Sequence, residues 1–92
     1  MSTVLAVSRP VIRSGFRLQW EPAQARHVLL YPEGMVQLNQ SATAILTRCD
    51  GTTTVAELIA TLEREYSTQG LAEEIHAFLE HALSQRWLEM RT

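Results

Sequence analysis

The chain has 92 residues, 46% of them hydrophobic, which is enough for one small domain with a modest core. No apolar run approaches the ~20 residues of a membrane span. The start, MSTVLAVSRP, lacks the charged n-region and the long apolar segment of a signal peptide. The net charge of −2 hides an asymmetry. Arg9, Arg13, Arg17, Arg26 and Arg48 face only Glu21 and Glu33 in residues 1–48, whereas eight acids outnumber three arginines in residues 49–92. The first half therefore favours an acidic partner, unless these charges are simply solvated surface. The single cysteine, Cys49, excludes an intrachain disulfide framework and makes a cytoplasmic setting the expectation.

Residues 1–14 show no clear period and contain Pro10, and they read as a flexible N-terminal arm; Val11-Ile12 could dock on the body. The domain proper is expected over 15–92. Phe16 to Glu21 alternates strictly, with Phe16, Leu18 and Trp20 on one face and Arg17, Gln19 and Glu21 on the other, a half-buried strand. Val28-Leu29-Leu30-Tyr31 is rich in strand formers, and Met35-Val36-Gln37-Leu38 runs back after Pro32-Glu33-Gly34. Residues 28–38 thus predict a β-hairpin with a three-residue loop, in which Gly34 would supply a positive φ. Short connections favour a meander with 35–38 at one edge.

Asn39 and Ser41 are both good N-caps for a first helix whose apolar positions are Ala42, Ile45, Leu46 and Cys49. Asp50-Gly51 ends it, with Gly51 suited to a left-handed conformation. Thr54-Val55-Ala56-Glu57 matches a capping box and opens a second helix carrying Val55, Leu58, Ile59, Leu62 and Tyr66. A third helix spans about Leu71 to Arg86, with a wide stripe of Leu71, Ile75, Phe78, Leu79, Ala82 and Leu83. Trp87 to Met90 can fold back as a final extended segment. The expected architecture is α+β: a three-stranded antiparallel sheet followed by three α-helices, winged-helix-like in its short connection between the first two helices.

Catalytic chemistry is poorly supported. Cys49 lies on an apolar stripe, where an inert buried thiol is the plainer reading than a nucleophile. His76 and His81 are five apart, which points them to different sides of one helix and not at one metal. No G-x-S-x-G, P-loop or GxGxxG occurs. The expectation is a non-enzyme with no metal and no cofactor. A nucleic-acid reader needs cations on its recognition helix, and the third helix is acidic until Arg86. What remains is a binding module, in which an exposed edge at 35–38 beside an apolar helix suits addition of an extended peptide; a merely protected edge strand is the alternative.

The residues themselves carry a resemblance. Arg9-Pro10, the run Arg17-Leu18-Gln19-Trp20-Glu21, the run Leu29-Leu30-Tyr31-Pro32-Glu33-Gly34-Met35-Val36 with Leu38-Asn39, Ser41-Ala42, Ile45-Leu46 and Cys49-Asp50-Gly51 together closely resemble the PqqD family of pyrroloquinoline quinone (PQQ) biosynthesis. The resemblance spans about residues 9–90 with no departure inside it. It implies the winged-helix-like fold called the RiPP recognition element, and a peptide chaperone that binds the precursor peptide PqqA and presents it to the radical SAM enzyme PqqE. In related recognition elements the peptide adds to the third strand against the third helix. Carried over, this implies a peptide site at Met35, Val36, Gln37, Leu38 and Asn39, faced by Phe78 and Ala82. A winged-helix nucleic-acid-binding protein is the competing reading. The same unpaired edge, with short proline-bearing connections around it, predicts a homodimer, domain-swapped in one version, against a monomer with a solvated edge.

Overall fold

The computed structural model describes residues 4–91. Strand β1 (Arg9–Ile12) is followed by β2 (Arg17–Glu21), β3 (Arg26–Tyr31) and β4 (Gly34–Gln37). Helices α1 (Gln40–Thr47), α2 (Val55–Glu65) and α3 (Ala72–Ser84) come next, and β5 (Leu88–Arg91) ends the described chain. Strands β2, β3 and β4 form the expected antiparallel sheet in that order, so β2 and β4 are its edges.

The register explains the strict alternation of β2. Leu18 pairs with Leu29 and Leu29 with Val36, so these side chains share the face that meets the helices. Leu29 is fully buried there, and Phe16, Leu18 and Val36 pack against the same core. The helices contribute Ala42, Ile45 and Leu46 from α1, Val55, Leu58 and Leu62 from α2, and Ile75, Leu79 and Ala82 from α3. Neither layer could bury these faces alone, which is why the sheet and the helices form one core.

The hairpin turn differs from expectation. Tyr31 pairs with Gly34, leaving Pro32-Glu33 as a two-residue loop, and Gly34 is a strand residue without a positive φ. Proline presets the turn unaided, so the glycine is not needed for left-handed backbone. At Gly51 the expectation holds and the cause is twofold. Its φ is +82°, and a Cβ there would meet an Arg91 guanidinium nitrogen at 3.1 Å and Val11 at 3.4 Å.

The arm is the largest departure. Residues 9–12 are strand β1, antiparallel to β5, with Arg9 opposite Arg91 and Ile12 opposite Leu88. Gly51 N–H donates to the Pro10 carbonyl, which ties this ribbon to the end of α1. Val4 lies in the core, and the Ser8 and Ala6 carbonyls accept from the N–H groups of Val55 and Ala56. The first turn of a helix leaves such donors without an intrahelical partner, so the segment finds both an apolar slot and acceptors' counterparts at α2. The reading of 1–14 as a flexible arm is therefore corrected for residues 4–14; residues 1–3 lie outside the described chain. The final extended segment does form, as β5, and its partner is this same N-terminal strand.

The capping box of α2 is complete: Glu57 N–H donates to Thr54 Oγ1 at 3.1 Å and Thr54 N–H to Glu57 Oε1 at 2.9 Å. The Thr54 N–H bond, aided by the Thr54 hydroxyl, holds the Glu57 carboxyl below its ordinary pKa. Thr54→Ala is expected to destabilise the domain by about 1 kcal/mol, seen as a lower urea midpoint, with ligand affinity nearly unchanged.

Candidate functional site

Strand β4 has one partner, β3, and its other side is an edge. The hydrogen-bond phase of that edge follows from the ladder. Leu38 N–H donates to the His27 carbonyl, so Leu38, Val36 and Gly34 direct their backbone groups to β3. Met35 and Gln37, alternating with them, direct N–H and C=O to the open side. Side chains divide the other way. Val36 packs against the core and Leu38 is buried in it, while Met35 is 46% exposed. Gln37 is held in a polar chain, accepting from Arg26 at 3.2 Å and donating to Gln24 Oε1 at 2.8 Å.

Beyond the end of β4, Asn39 caps α1; its Oδ1 accepts from Ala42 N–H at 2.8 Å. Ser41, the other cap candidate, lies within the helix. Asn39 also lines a largely apolar cavity of about 400 Å³, walled by Ala42 and Ile45 of α1, Leu62 of α2, and Leu71, Ile75 and Phe78 on the α3 side. Polar atoms in the wall come from Asn39, Gln40, Ser41, Tyr66, Thr68 and Glu74. Mostly apolar walls with few polar groups are the make-up of a site that accepts an apolar side chain. The Phe78 ring is backed by Trp87, with ring centroids 6.5 Å apart.

Of the residues named from sequence, Asn39 and Phe78 thus meet in one cavity, and Met35 and Gln37 offer backbone to solvent. Val36, Leu38 and Ala82 turn inward; Ala82 is fully buried and supports α3 from beneath. The cavity wall of Ala42, Ile45, Leu62, Leu71 and Ile75 was not legible as a site. Each residue sits on an apolar helical stripe, and only the packing leaves part of that stripe uncovered.

Cys49 is not a nucleophile. Burial, with Asp50 adding a smaller repulsion, pushes its thiol up to about 12, and its Sγ–H donates to the Ile45 carbonyl at 3.3 Å. Asp50 is occupied in the loop that follows: its carboxylate accepts from the N–H groups of Thr52 and Thr53, which lowers its pKa to about 2. Because folding favours the neutral Cys49 thiol, its contribution is complete below about pH 8.5, where an unfolded thiol titrates, and is lost progressively toward pH 12. Iodoacetamide at pH 8 is expected to label Cys49 only as fast as the native domain opens, so alkylation should accelerate in step with added urea.

Among the described residues there is no group of three or more His, Cys, Asp or Glu placed to hold a metal ion, and no helix is long and apolar enough to cross a membrane. The geometry consists of an open strand edge, an apolar cavity at its end and an inert thiol. Together these features make a small α+β domain with the build of a recognition module.

Comparison with known proteins makes the family explicit. The family model for coenzyme PQQ synthesis protein D (PqqD) matches residues 26–88. A protein of Stutzerimonas stutzeri called PqqA binding protein is 52% identical over 92 residues, covering 99% of this chain and all of its own length. Its namesake in Pseudomonas aeruginosa PAO1 is 54% identical over 85 residues, covering 91% of this chain and 92% of its own. The solution NMR structure of the PqqD truncation of Methylobacterium extorquens PqqCD is 31% identical, with a TM-score of 0.69 over 87% of each chain. That protein is described as a functional, stand-alone recognition element for ribosomally synthesized and post-translationally modified peptides, a RiPP recognition element. The chain belongs to the PqqD family, and its fold is that of the RiPP recognition element.

Proposed function

We propose that this protein is the peptide chaperone of PQQ biosynthesis, which binds the precursor peptide PqqA by strand addition to β4 and presents it to the radical SAM enzyme PqqE. The names of its relatives support PqqA as the ligand. The observation that carries the binding mode is the open edge itself, where the outward backbone groups of Met35 and Gln37 can pair with an extended segment. The adjoining cavity, with Phe78 and Asn39 in its wall, accepts an apolar side chain of that segment. Val36 and Leu38 shape the strand from the core side, and Ala82 fixes the helix that carries Phe78. The iron–sulfur and S-adenosylmethionine chemistry belongs to the enzyme partner.

The same edge can pair with a second copy of the chain, so a homodimer competes with peptide in this scheme. The lone buried thiol fits a cytoplasmic setting. Titration with PqqA and with duplex DNA tests the proposal. Saturable 1:1 binding of PqqA, with no DNA binding beyond a weak, salt-abolished background, is the expected result. Specific DNA binding in the absence of peptide binding would overturn it.

A further inference from the structure

Strand β2 is the other edge of the central sheet, and its hydrogen-bond phase follows from the same ladder. Leu38 N–H donates to the His27 carbonyl, so His27 and Leu29 direct their backbone groups to β4, and Arg26, Val28 and Leu30 direct theirs to β2. These three pair with Glu21, Gln19 and Arg17. Leu18 and Trp20, alternating with them, direct N–H and C=O to the open side. Among the described residues, no backbone hydrogen bond reaches Leu18 or Trp20 from that side. The edge is short. Before it the chain turns, where Phe16 N–H donates to the Arg13 carbonyl, and Pro22 follows it.

The sequence of this edge, Arg17-Leu18-Gln19-Trp20-Glu21, is complementary to itself when reversed. Two antiparallel copies pair only where residues with outward backbone groups meet. Leu18 opposite the partner's Leu18 would set Arg17 against the partner's Gln19. Trp20 opposite the partner's Trp20 would set Glu21 against the partner's Gln19. Only with Leu18 opposite the partner's Trp20 do the charges match: Arg17 then meets the partner's Glu21, and Glu21 the partner's Arg17. Both charged side chains project from the face away from the helices, opposite to Leu18. Neither has an ion pair among the described residues, where the pairs are Arg13–Glu89 and Arg48–Glu65, and Arg17 donates to the neutral amide of Gln19 at 3.2 Å. On the helix side, Trp20 is 51% exposed, and the partner's Leu18 would cover its ring. Strand β4 carries no charged residue, so no charge on it selects a register.

We infer that β2 is the edge on which a second copy of this chain docks, antiparallel and about a two-fold axis at Gln19. Leu18 and the partner's Trp20 exchange both backbone hydrogen bonds, as do Trp20 and the partner's Leu18. The two three-stranded sheets become one, with a β4 edge at each end. Each copy keeps its own β4 edge open, so the dimer holds one peptide at each end of the joined sheet. The pairing itself does not depend on the β4 reading of the function; the placing of the peptides does. Five residues a side bury less than the ~1,200 Å² of a stable interface, so the dimer is weak and concentration-dependent.

Sedimentation equilibrium from about 10 µM to about 1 mM protein tests this on wild type, Arg17→Glu, Glu21→Arg and the double variant. Wild type should pass from monomer to dimer across that range. Each single substitution sets like charges opposite each other at both ends of the junction and should weaken dimerisation at least ~10-fold. The double variant restores opposite charges and should dimerise like wild type, and so should an equimolar mixture of the two single variants. Glu21 also lies opposite Arg26 in its own sheet, so amide exchange of the wild type decides the matter should Glu21→Arg fail to fold. Raising the protein concentration should slow Leu18 and Trp20 and leave Gln19, already bonded to β3, unchanged. Saturating PqqA should leave the dimer intact. A strict monomer at about 1 mM would overturn the inference. So would a dimer indifferent to the charge substitutions, or one that slows Met35 and Gln37 in place of Leu18 and Trp20. A dimer that PqqA dissociates would overturn it too, because the contact would then lie on the peptide's edge.

Discussion

Gln37→Pro is expected to abolish PqqA binding while the domain stays folded, and Val36→Pro is expected to unfold the sheet. The two positions are adjacent, yet the ladder separates them. Val36 is opposite Leu29 in a hydrogen-bonded pair, so proline there deletes a bond within the sheet and drives its ring against β3. Gln37 directs its N–H to the open edge, where proline is tolerated in edge strands and removes only a donor offered to the incoming strand. The lost Arg26 and Gln24 contacts are exposed side-chain bonds and cost little. A lost donor in a strand-addition site also brings steric exclusion by the ring, so affinity should fall by at least ~100-fold, about 2.7 kcal/mol. Thermal melts and peptide titrations of both variants check this. A folded Gln37→Pro variant with wild-type affinity would refute the β4 placement.

Removal of residues 1–8 is expected to cost stability on a scale unusual for a terminus. Val4 is 4% exposed within the core, and burying a valine side chain is worth about 1.5–3 kcal/mol. The Ser8 and Ala6 carbonyls satisfy two N–H groups at the start of α2, each worth about 1 kcal/mol. The ordering entropy of the segment offsets part of this. A net loss of about 3 kcal/mol remains, which lowers Tm by roughly 10–20 °C for a domain of this size. A calorimetric melt of the chain beginning at Arg9 measures it. A change below ~1 kcal/mol would show that the segment packs without holding the fold, since terminal residues ordinarily contribute that little.

The contrast between these two regions shows what the sequence made legible. The central sheet is local: β2 alternates, and β3 and β4 are joined by a proline turn, so each pairing is signalled within about ten residues. The capping box at Thr54–Glu57 is likewise a four-residue signal. The β1–β5 ribbon joins residues nearly eighty apart, and Pro10 breaks the strand signal while occupying a position that needs no donor to β5: its carbonyl serves Gly51 instead. No local pattern announces such a pair. The turn at Pro32-Glu33 is one residue shorter than its sequence suggests, because glycine after proline reads as turn chemistry whereas Gly34 begins β4.

The candidate site divides in the same way. Its edge strand could be placed from the order of elements; helical spacing put Phe78 on an apolar stripe, and only the family resemblance marked it and Ala82 as candidate site residues. Ala82, one turn on, shares that stripe but turns fully into the core, because the end of α3 packs against β5. Tyr66 and Trp20, aromatic and alternating or periodic with core residues, read as core and emerge as exposed rings, Trp20 on an edge strand and Tyr66 at the C-cap of α2.

Amide hydrogen exchange on the protein with and without saturating PqqA tests the central claim most directly. In the free protein Val36 and Leu38 should already be protected by β3, with Met35 and Gln37 exchanging fast at the open edge. Added peptide should slow Met35 and Gln37 by at least ~100-fold and leave Val36 and Leu38 nearly unchanged. Saturated peptide binding with Met35 and Gln37 still exchanging at their free rates would contradict strand addition on β4.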